Sequence, residues 1–557
     1  MNYYSDNESL KFYLQHPDIE KIATLRENNF EEHGQYADAP ANAQEAVEGY
    51  QSVMDLIGEI AAEVIAPNAA DVDAQGPTVV DGRVVYAQGT QQNHQTLIQS
   101  GLYGIKQRRK YHGLNMPGTV ATMAGEVVAR ADVGFATIWM LQDCADTIED
   151  FASEEIKDKY LPRIYEGATC SMDLTEPDAG SDLQSVRLKA TFDEKANCWR
   201  LNGVKRFITN GDADIHLVLA RSEEGTTDGR GLSYFVYDRN DGGLTVRRIE
   251  HKMGIIGSPT AELVFTNAPC QLVGERRLGL IKYTMSLMNG ARLGVGAQAV
   301  GLCEAACREA VAYAAAREQF SKTIDQMVPV QDLLHTMRAK TDAVRSLLYE
   351  TARQVDLANC YDRLSKVRPL TAEERQAMKA ALRNADCLTP LTKLMASEYS
   401  NQNAYDCIQV HGGSGFMKEY ACERLYRDAR ILSIYEGTSQ LQVVAATKGI
   451  SNGNYLKRIA EYDAMPLDEE LVPLREELRR MTSDYTAMHG LLTAEGATEL
   501  VEHHVRRLAE GLAYIVMGYL LLLDAQRDRR WLDSCRRIIA MGMAEMAKHR
   551  CAVDCKF

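Results

Sequence analysis

Met172-Asp-Leu-Thr-Glu-Pro-Asp-Ala-Gly-Ser-Asp182 lies where the character of the sequence changes. Before it, from Ala46 to Glu166, apolar residues recur at helical spacing. After it, from Val186 to Phe192, apolar and polar residues alternate, as in a strand with one buried face. The segment therefore marks the entry from a helical region into a β domain.

Further alternating patterns predict a compact β domain, after which helical patterns return at Leu280 and continue to the end of the chain. Asn202-Gly203 predicts a hairpin turn, and Ser5-x-x-Glu8 has the form of a capping box. The order α, β, α predicts an α+β fold. The predicted parts are an N-terminal helical cap (1–45), an N-terminal α domain (46–169), a central β domain (170–272), a C-terminal helical bundle with an insertion near 360–385 (273–454) and a C-terminal helical extension (455–557).

The composition is that of a globular protein with several packed units. The chain has 557 residues, 45% hydrophobic and 25% charged, with a net charge of -15. This acidity argues against a general nucleic-acid binder, which needs a basic face. The N-terminus resembles no signal peptide, and the apolar stretch Leu512–Leu523 is short for a bilayer span. Thirteen scattered cysteines form no pattern of metal ligands, so a cytoplasmic protein without a structural metal is expected.

Two segments around the β domain offer groups for a ligand. In the first, the small residues around Gly180 allow close backbone approach, and Thr175 and Ser181 supply hydroxyls. A turn before a strand explains the same residues equally well. In the second, Phe207 and Thr209 are two residues apart and share one face of a strand. The alternative for this segment is a strand that ends in an Asn-Gly turn.

Two more segments lie in the later helices. Arg317 carries a planar guanidinium suited to a diphosphate, although a solvated helix arginine is the commoner case. Gln409-Val-His-Gly-Gly-Ser-Gly-Phe416 contains glycines that let the backbone approach a phosphate. His411 in this loop is interpreted as structural. The chain contains no G-x-G-x-x-G opening a βαβ unit and no P-loop motif.

Ile434-Tyr-Glu-Gly-Thr-Ser-Gln-Leu-Gln442 contains the strongest candidate for a catalytic group. Apolar neighbours make the Glu436 carboxylate costly to ionise, which suits a group that abstracts a proton. Most glutamates are solvated surface residues, so the segment alone would carry little weight. It gains weight from the segments that precede it.

Read in order over about residues 46–450, these motifs resemble the acyl-CoA dehydrogenases, flavoproteins that desaturate acyl-CoA thioesters. The cap, the insertion and the C-terminal extension resemble the larger bacterial members, similar to those acting on methylthiopropionyl-CoA. The resemblance implies an N-terminal helical domain, a central β-barrel and a C-terminal four-helix bundle with extra helices. It also implies FAD, an acyl-CoA substrate, electron transfer to an electron-transferring flavoprotein, and a homodimer or tetramer.

The resemblance assigns roles to individual residues. Glu436 corresponds to the catalytic base. The chain departs from the family at Phe207, where tryptophan is commoner, and at Ser321, where glycine is usual. The residues implied for FAD are Met172, Leu174, Thr175, Ser181, Phe207, Thr209, Arg317, Phe320, Gln331, Gln409, Gly412, Gly413, Thr438 and Gln440. Those implied for the acyl-CoA are Ser181, Asn289, Arg292, Glu436 and Gly437.

The implied mechanism places an α-proton on Glu436 while a β-hydrogen leaves as hydride. The thioester carbonyl is held by the Glu436 N–H and a cofactor hydroxyl. Some relatives carry the base one residue before the helix arginine, but Ala291 occupies that position here and cannot accept a proton. Acyl chain length and branching stay open.

Three rival functions use the same scaffold. A nitroalkane oxidase typically has an aspartate at the base position, so Glu436 counts against it. An acyl-CoA oxidase differs by access of O₂, which sequence does not reveal. A non-catalytic DNA-binding relative needs a basic C-terminal region, whereas Glu495 to Arg530 mixes both signs of charge.

Overall fold

The structure, a computed structural model, describes residues 1–494 and 498–555, without the side chains of Asn289, Ala494 and residues 498–500. The chain divides into two units, Met1–Gly294 and Val295–Phe557. The first unit holds helices and then a β-barrel, and the second unit is almost entirely helical. The predicted α+β organisation is thereby confirmed.

The first unit begins with helices. Asn7, and not the predicted Ser5, caps the first of them, because its side chain accepts hydrogen bonds from the N–H groups of Ser9 and Leu10. The helices are α1 (Glu8–Leu14), α2 (Pro17–Arg26), α3 (Ala43–Ile60), α4 (Ala66–Gln75), α5 (Gln88–Gln99), α6 (Gly118–Ala131), α7 (Val133–Trp139), α8 (Cys144–Phe151) and α9 (Glu154–Tyr165).

A seven-stranded sheet follows a small hairpin of β1 (Thr78–Val80) and β2 (Arg83–Val85). The strand order is β3-β6-β4-β5-β9-β7, with β8 paired to β9, and β7 pairs back to β6. This last pairing closes the sheet into the predicted barrel, which leaves few free strand edges. The strands are β3 (Cys170–Asp173), β4 (Lys189–Asp193), β5 (Cys198–Thr209), β6 (Ile215–Arg221), β7 (Leu232–Asp238), β8 (Leu244–Ile249) and β9 (Thr260–Val273).

The predicted hairpin turn at Asn202-Gly203 is wrong. β5 runs straight through these residues, and its pairing with β9 shifts register between Leu201 and Gly203. Gly203 has φ of 143°, and a Cβ there would lie 3.0 Å from the Leu188 Cα. The glycine therefore serves a bulge and a close backbone approach. The turn between β4 and β5 lies earlier, at residues 194–197.

The second unit is built from long helices and one small hairpin. The hairpin is β10 (Glu318–Gln319) with β11 (Lys322–Thr323). The helices are α10 (Met285–Ala316), which begins in the first unit, α11 (Val328–Val367), α12 (Ala372–His411), α13 (Ala421–Leu432), α14 (Ser439–Ser451), α15 (Asn454–Asp463), α16 (Val472–Ala494), α17 (Thr498–Arg527) and α18 (Leu532–Asp554).

Residues 360–385, predicted as an insertion, form the end of α11 and the start of α12, joined by 368–371. A capping box of Thr371 and Glu374 starts α12. The apolar stretch in α17 is longer than expected: Val501–Arg527 is long and apolar enough to cross a membrane. However, 89% of its apolar window is buried inside the protein, as in a core helix.

Candidate active site

Glu436 lies half-buried in the short loop between α13 and α14. Its backbone has φ of 53°, and Gly437 follows with φ of 88°, so two successive residues are left-handed. For a residue other than glycine this conformation costs on the order of 1–3 kcal/mol and persists only where the surroundings enforce it. Other residues of this chain, such as Phe207 and Phe320, share a positive φ, so the strain agrees with a functional role for Glu436 only together with the motif.

Three hydrogen bonds hold the backbone that follows Glu436. Lys393 Nζ, from α12, donates to the Gly437 carbonyl oxygen at 2.7 Å. Gln442 Nε2, from the first turn of α14, donates to the same oxygen at 2.9 Å and to the Glu436 carbonyl oxygen at 3.4 Å. Both side chains are fully buried. Two buried side chains, Lys393 and Gln442, therefore hold the backbone of the loop by hydrogen bonds.

The flanks of the loop are also fixed. Thr438 caps α14, because its hydroxyl accepts a hydrogen bond from the Leu441 N–H at 3.3 Å. On the other side of the glutamate, the Tyr435 hydroxyl donates to the side-chain oxygen of Gln298, which is buried in α10. Gln440 lies exposed at the start of α14.

Arg317 follows α10 and leads into the β10–β11 hairpin. Phe320 and Ser321 form the two-residue turn with φ of 52° and 66°. Turns with two left-handed residues favour glycine, so Ser321 is an uncommon residue for this turn. Phe320 is 89% exposed, and Arg317 is exposed beside it.

The glycine loop begins where α12 ends at His411. A Cβ added to Gly412 or Gly413 would meet nothing within 4 Å, so the space above this backbone is open. The Tyr313 ring, near the end of α10, stacks on His411 with the centroids 4.1 Å apart, and its hydroxyl donates to Ser414 Oγ at 3.2 Å. These contacts bring the end of α10 beside the glycine loop and give His411 a packing role.

The residues that the resemblance assigns to FAD in this unit lie mostly at its surface. Phe416 is exposed by 81% in the same region. Surface exposure leaves these groups open to a ligand or to another chain. The exposed residues are Arg317, Phe320, Gln331, Gln409, Gly412, Gly413 and Gln440.

In the first unit, Lys205 draws the segment after β3 against β5. Its fully buried ammonium donates to the Leu174 carbonyl oxygen at 2.8 Å and to Glu176 at 2.9 Å. Burial lowers the pKa of Lys205, and the Glu176 carboxylate opposes this shift. The Arg206 N–H donates to the Thr175 carbonyl oxygen at 2.9 Å. The structure thus brings Leu174 and Thr175 beside the strand that carries Phe207.

Phe207 stands at a second bulge in β5. The register with β9 shifts between Lys205 and Ile208, and Phe207 has φ of 59°. Phe207 is 54% exposed and Thr209 is half-buried, while Ile208 between them is buried. The bulge breaks the regular alternation of side chains at Phe207, so exposure, and not strand geometry, is what leaves the aromatic ring and the hydroxyl accessible to a ligand.

The remaining site residues of this unit differ in their exposure to solvent. Met172 and Arg292 are half-buried, and Ser181 is exposed. Ala291 is half-buried on α10. The side chain of Asn289 lies outside the described residues.

The Lys205–Glu176 pair leads to a prediction about stability. Both Glu176 carboxylate oxygens accept hydrogen bonds, from Lys205 and from the N–H groups of Arg187 and Leu188. Glu176→Gln removes the charge opposite a buried ammonium and turns one of these acceptors into a donor, so the free energy of unfolding should fall by about 3–5 kcal/mol. Urea unfolding followed by circular dichroism measures it. The control is Glu154→Gln, an exposed glutamate that pairs with Lys110 and Lys157, which should change stability little. Equal effects of the two variants would contradict the role of burial.

One further group of side chains could hold a metal ion by distance alone. Among the described residues, the candidate ligand atoms of Cys407, His411 and Cys422 lie within 4.8 Å of one another, and all three residues are buried. However, His411 Nδ1 lies 2.8 Å from the Cys407 carbonyl oxygen, to which it donates. That hydrogen bond occupies the nitrogen facing the thiols, so the group is interpreted as packing.

Two structural features of the candidate site were missed from the sequence, namely the Lys205–Glu176 pair and the hydrogen bonds of Lys393 and Gln442 to the loop. A weak clue existed for one of them. Lys393 stands in the mostly apolar run Leu391-Thr-Lys-Leu-Met395, which the structure buries. A lysine among buried residues needs a partner, but the partner itself lies 44 residues away in the chain.

Comparison with known protein families covers almost the whole chain. Profiles described as the N-terminal, middle and C-terminal domains of acyl-CoA dehydrogenase match residues 48–168, 171–268, and 281–363 with 353–450. A further profile, the acyl-CoA dehydrogenase C terminal, matches residues 451–555. The helical extension is therefore part of a known domain type.

Individual proteins agree with the profiles. A 3-methylmercaptopropionyl-CoA dehydrogenase of Ruegeria pomeroyi is 32% identical over 473 residues, which are 79% of this chain and 75% of that protein. A 3-(aryl)acrylate reductase of Clostridium sporogenes is 31% identical over 71% of this chain and 96% of its own length. A solved acyl-CoA dehydrogenase of Bacillus anthracis, in complex with FAD, is 23% identical, with a TM-score of 0.76. It covers 90% of this chain and 88% of its own, and it shows the shared fold.

Proposed function

The chain belongs to the acyl-CoA dehydrogenase family, and from this premise we propose that it oxidises an acyl-CoA thioester to the trans-2-enoyl-CoA. The single observation that best supports the proposal is Glu436, a carboxylate on a strained, anchored loop. Ala291, at the other position where relatives carry a base, has no proton acceptor.

The residues present fit FAD as the cofactor. Phe207 offers an exposed aromatic ring, Thr209 a partly exposed hydroxyl two residues later, and Arg317 a guanidinium for a diphosphate. The open space above Gly412 and Gly413 admits a nucleotide against the backbone. FAD, when bound, supplies the acceptor for the hydride that leaves the β-carbon of the substrate.

The chain's own groups would handle the proton and the carbonyl. Glu436 takes the α-proton, and the Glu436 N–H donates to the thioester carbonyl oxygen, where negative charge develops. Arg292 and Ser181 contribute to holding the acyl-CoA. Rigid placement of the base relative to the Cα–Cβ bond supplies much of the rate.

The same proposal includes the assembly and the electron acceptor. The exposed Arg317, Phe320 and Gln409 would reach the cofactor of a neighbouring copy, so a homodimer or tetramer is proposed. Electrons would pass to an electron-transferring flavoprotein in the cytoplasm. The exposed aromatic residues Phe320 and Phe416 support a surface that another copy covers.

The cofactor is tested by purification. We expect a yellow protein with one FAD per subunit, because each chain carries the residues of both units that are proposed to bind FAD. Absorbance spectra and release of the flavin by denaturation measure this stoichiometry. A colourless protein that also fails to take up added FAD would contradict the proposal that FAD is the cofactor.

The activity is tested under anaerobic conditions with acyl-CoAs that differ in length and branching. At least one should bleach the flavin, and the best of them defines the acyl pocket. Turnover with electron-transferring flavoprotein and with O₂ then separates a dehydrogenase from an oxidase. Because one relative is named a reductase, the reduced protein should also be offered enoyl-CoAs. Oxidation by these, without bleaching by any saturated thioester, would favour a reductase instead.

A further inference from the structure

We infer that Lys393 and Gln442 are positioning residues for Glu436, fixing the two peptide groups that follow it; this rests on the proposed function. Neither residue touches the substrate in this account. Both act through the backbone of the loop. They lie in the same unit as Glu436, on α12 and α14.

The hydrogen bonds determine two peptide planes. Gln442 Nε2 binds the Glu436 carbonyl oxygen and so orients the peptide between Glu436 and Gly437. Lys393 and Gln442 both bind the Gly437 carbonyl oxygen and so orient the next peptide. A carbonyl oxygen has two lone pairs, and two donors satisfy both at this position.

These contacts explain how the loop keeps its conformation. Glu436 is left-handed, which a glutamate adopts only when its surroundings enforce it. If the two carbonyl oxygens were free to turn, Glu436 could relax towards ordinary φ values. The carboxylate and the N–H of Glu436 would then move together, and both are assigned to the reacting thioester.

Burial makes the lysine more than a stabilising contact. Lys393 is 0% exposed and stands between fully buried residues, Thr392 and Leu394. A buried ammonium is costly, and its hydrogen bond to a neutral carbonyl is strong because the donor is charged. One hydrogen bond of this buried ammonium therefore goes to the peptide next to the proposed base.

The test uses Lys393→Met, which keeps the length of the side chain and removes the donor, and Gln442→Met. Each should lower the rate of anaerobic flavin reduction at saturating acyl-CoA by roughly 10- to 100-fold, as expected for a displaced catalytic group. FAD content and the affinity for an enoyl-CoA product should stay close to wild type. The two variants are independent, so a folding failure in one leaves the other to decide.

The matched control is Lys340→Met. Lys340 is also buried in the second unit, where it pairs with Asp406 at 3.3 Å, and it makes no contact with the loop in the bonds described. It should lower the melting temperature while leaving the flavin reduction rate near wild type.

Two outcomes would overturn the inference. If the Lys393 and Gln442 variants lose stability as Lys340→Met does, yet the flavin-loaded protein is reduced at the wild-type rate, the contacts are merely structural. If no acyl-CoA bleaches the wild-type protein, the proposed function fails and this inference fails with it. The wild-type measurement distinguishes the two cases.

Discussion

Glu436→Gln should retain FAD and bind acyl-CoA, but its flavin should be reduced by substrate at least ~10²–10⁴-fold more slowly, the range for loss of a positioned general base. Glutamine has the shape and volume of glutamate but cannot accept the α-proton. The loss becomes larger still where hydride departure depends on carbanion character at the α-carbon. Anaerobic stopped-flow absorbance with saturating substrate measures the rate directly.

Glu436→Asp is the control, because it keeps the carboxylate and withdraws it by one methylene. It should leave partial activity. The competing interpretation is that the negative charge of Glu436 merely favours the nearby start of α14. In that case the glutamine variant would lose a little stability and keep rapid flavin reduction, and the assignment of the base would be wrong.

Arg317→Ala should weaken both FAD retention and subunit association. If Arg317 pairs with the diphosphate of a neighbouring copy's FAD, its removal leaves a charge unpaired, at a cost on the order of 2–5 kcal/mol. Gel filtration with light scattering reports the assembly, and the ratio of flavin to protein absorbance reports the cofactor. Both should fall together.

The control for Arg317 is Arg536→Ala. Arg536 is an exposed arginine on α18 that forms a long ion pair of 3.8 Å with Asp533, so its loss should change neither measurement. A monomeric wild-type protein that holds FAD normally would contradict the proposed arrangement, as would an Arg317 variant that keeps both cofactor and assembly.

Local patterns predicted the order of helical and β regions, whereas the barrel and the bundle were implied by the resemblance to a family. The alternation from Val186 to Phe192 predicted β4, which the structure places at Lys189–Asp193. Such patterns report which face of an element is buried, and burial is decided by the same side chains. Local patterns give a wrong prediction where the same pair of residues fits two different backbone conformations. Asn202-Gly203 fits a hairpin turn, but the glycine is needed for close approach to Leu188 inside a continuous strand.

The candidate base could be predicted from sequence, but its support could not. The motif around Glu436 indicated a carboxylate among apolar neighbours, and no sequence pattern reveals that its φ is positive. Nor does any local pattern pair Lys393 with Gly437, because tertiary packing of α12 against α14 creates that contact. Side-chain type can be read locally, whereas long-range hydrogen bonds require the fold.

The central claim is that this chain desaturates an acyl-CoA at the α,β position, and a single-turnover experiment tests it most directly. The purified protein is mixed anaerobically with the acyl-CoA that bleaches its flavin best, and the products are quantified by mass spectrometry. The account predicts one trans-2-enoyl-CoA formed for each flavin reduced. Flavin reduction without enoyl-CoA, or no reduction by any acyl-CoA tried, would contradict it.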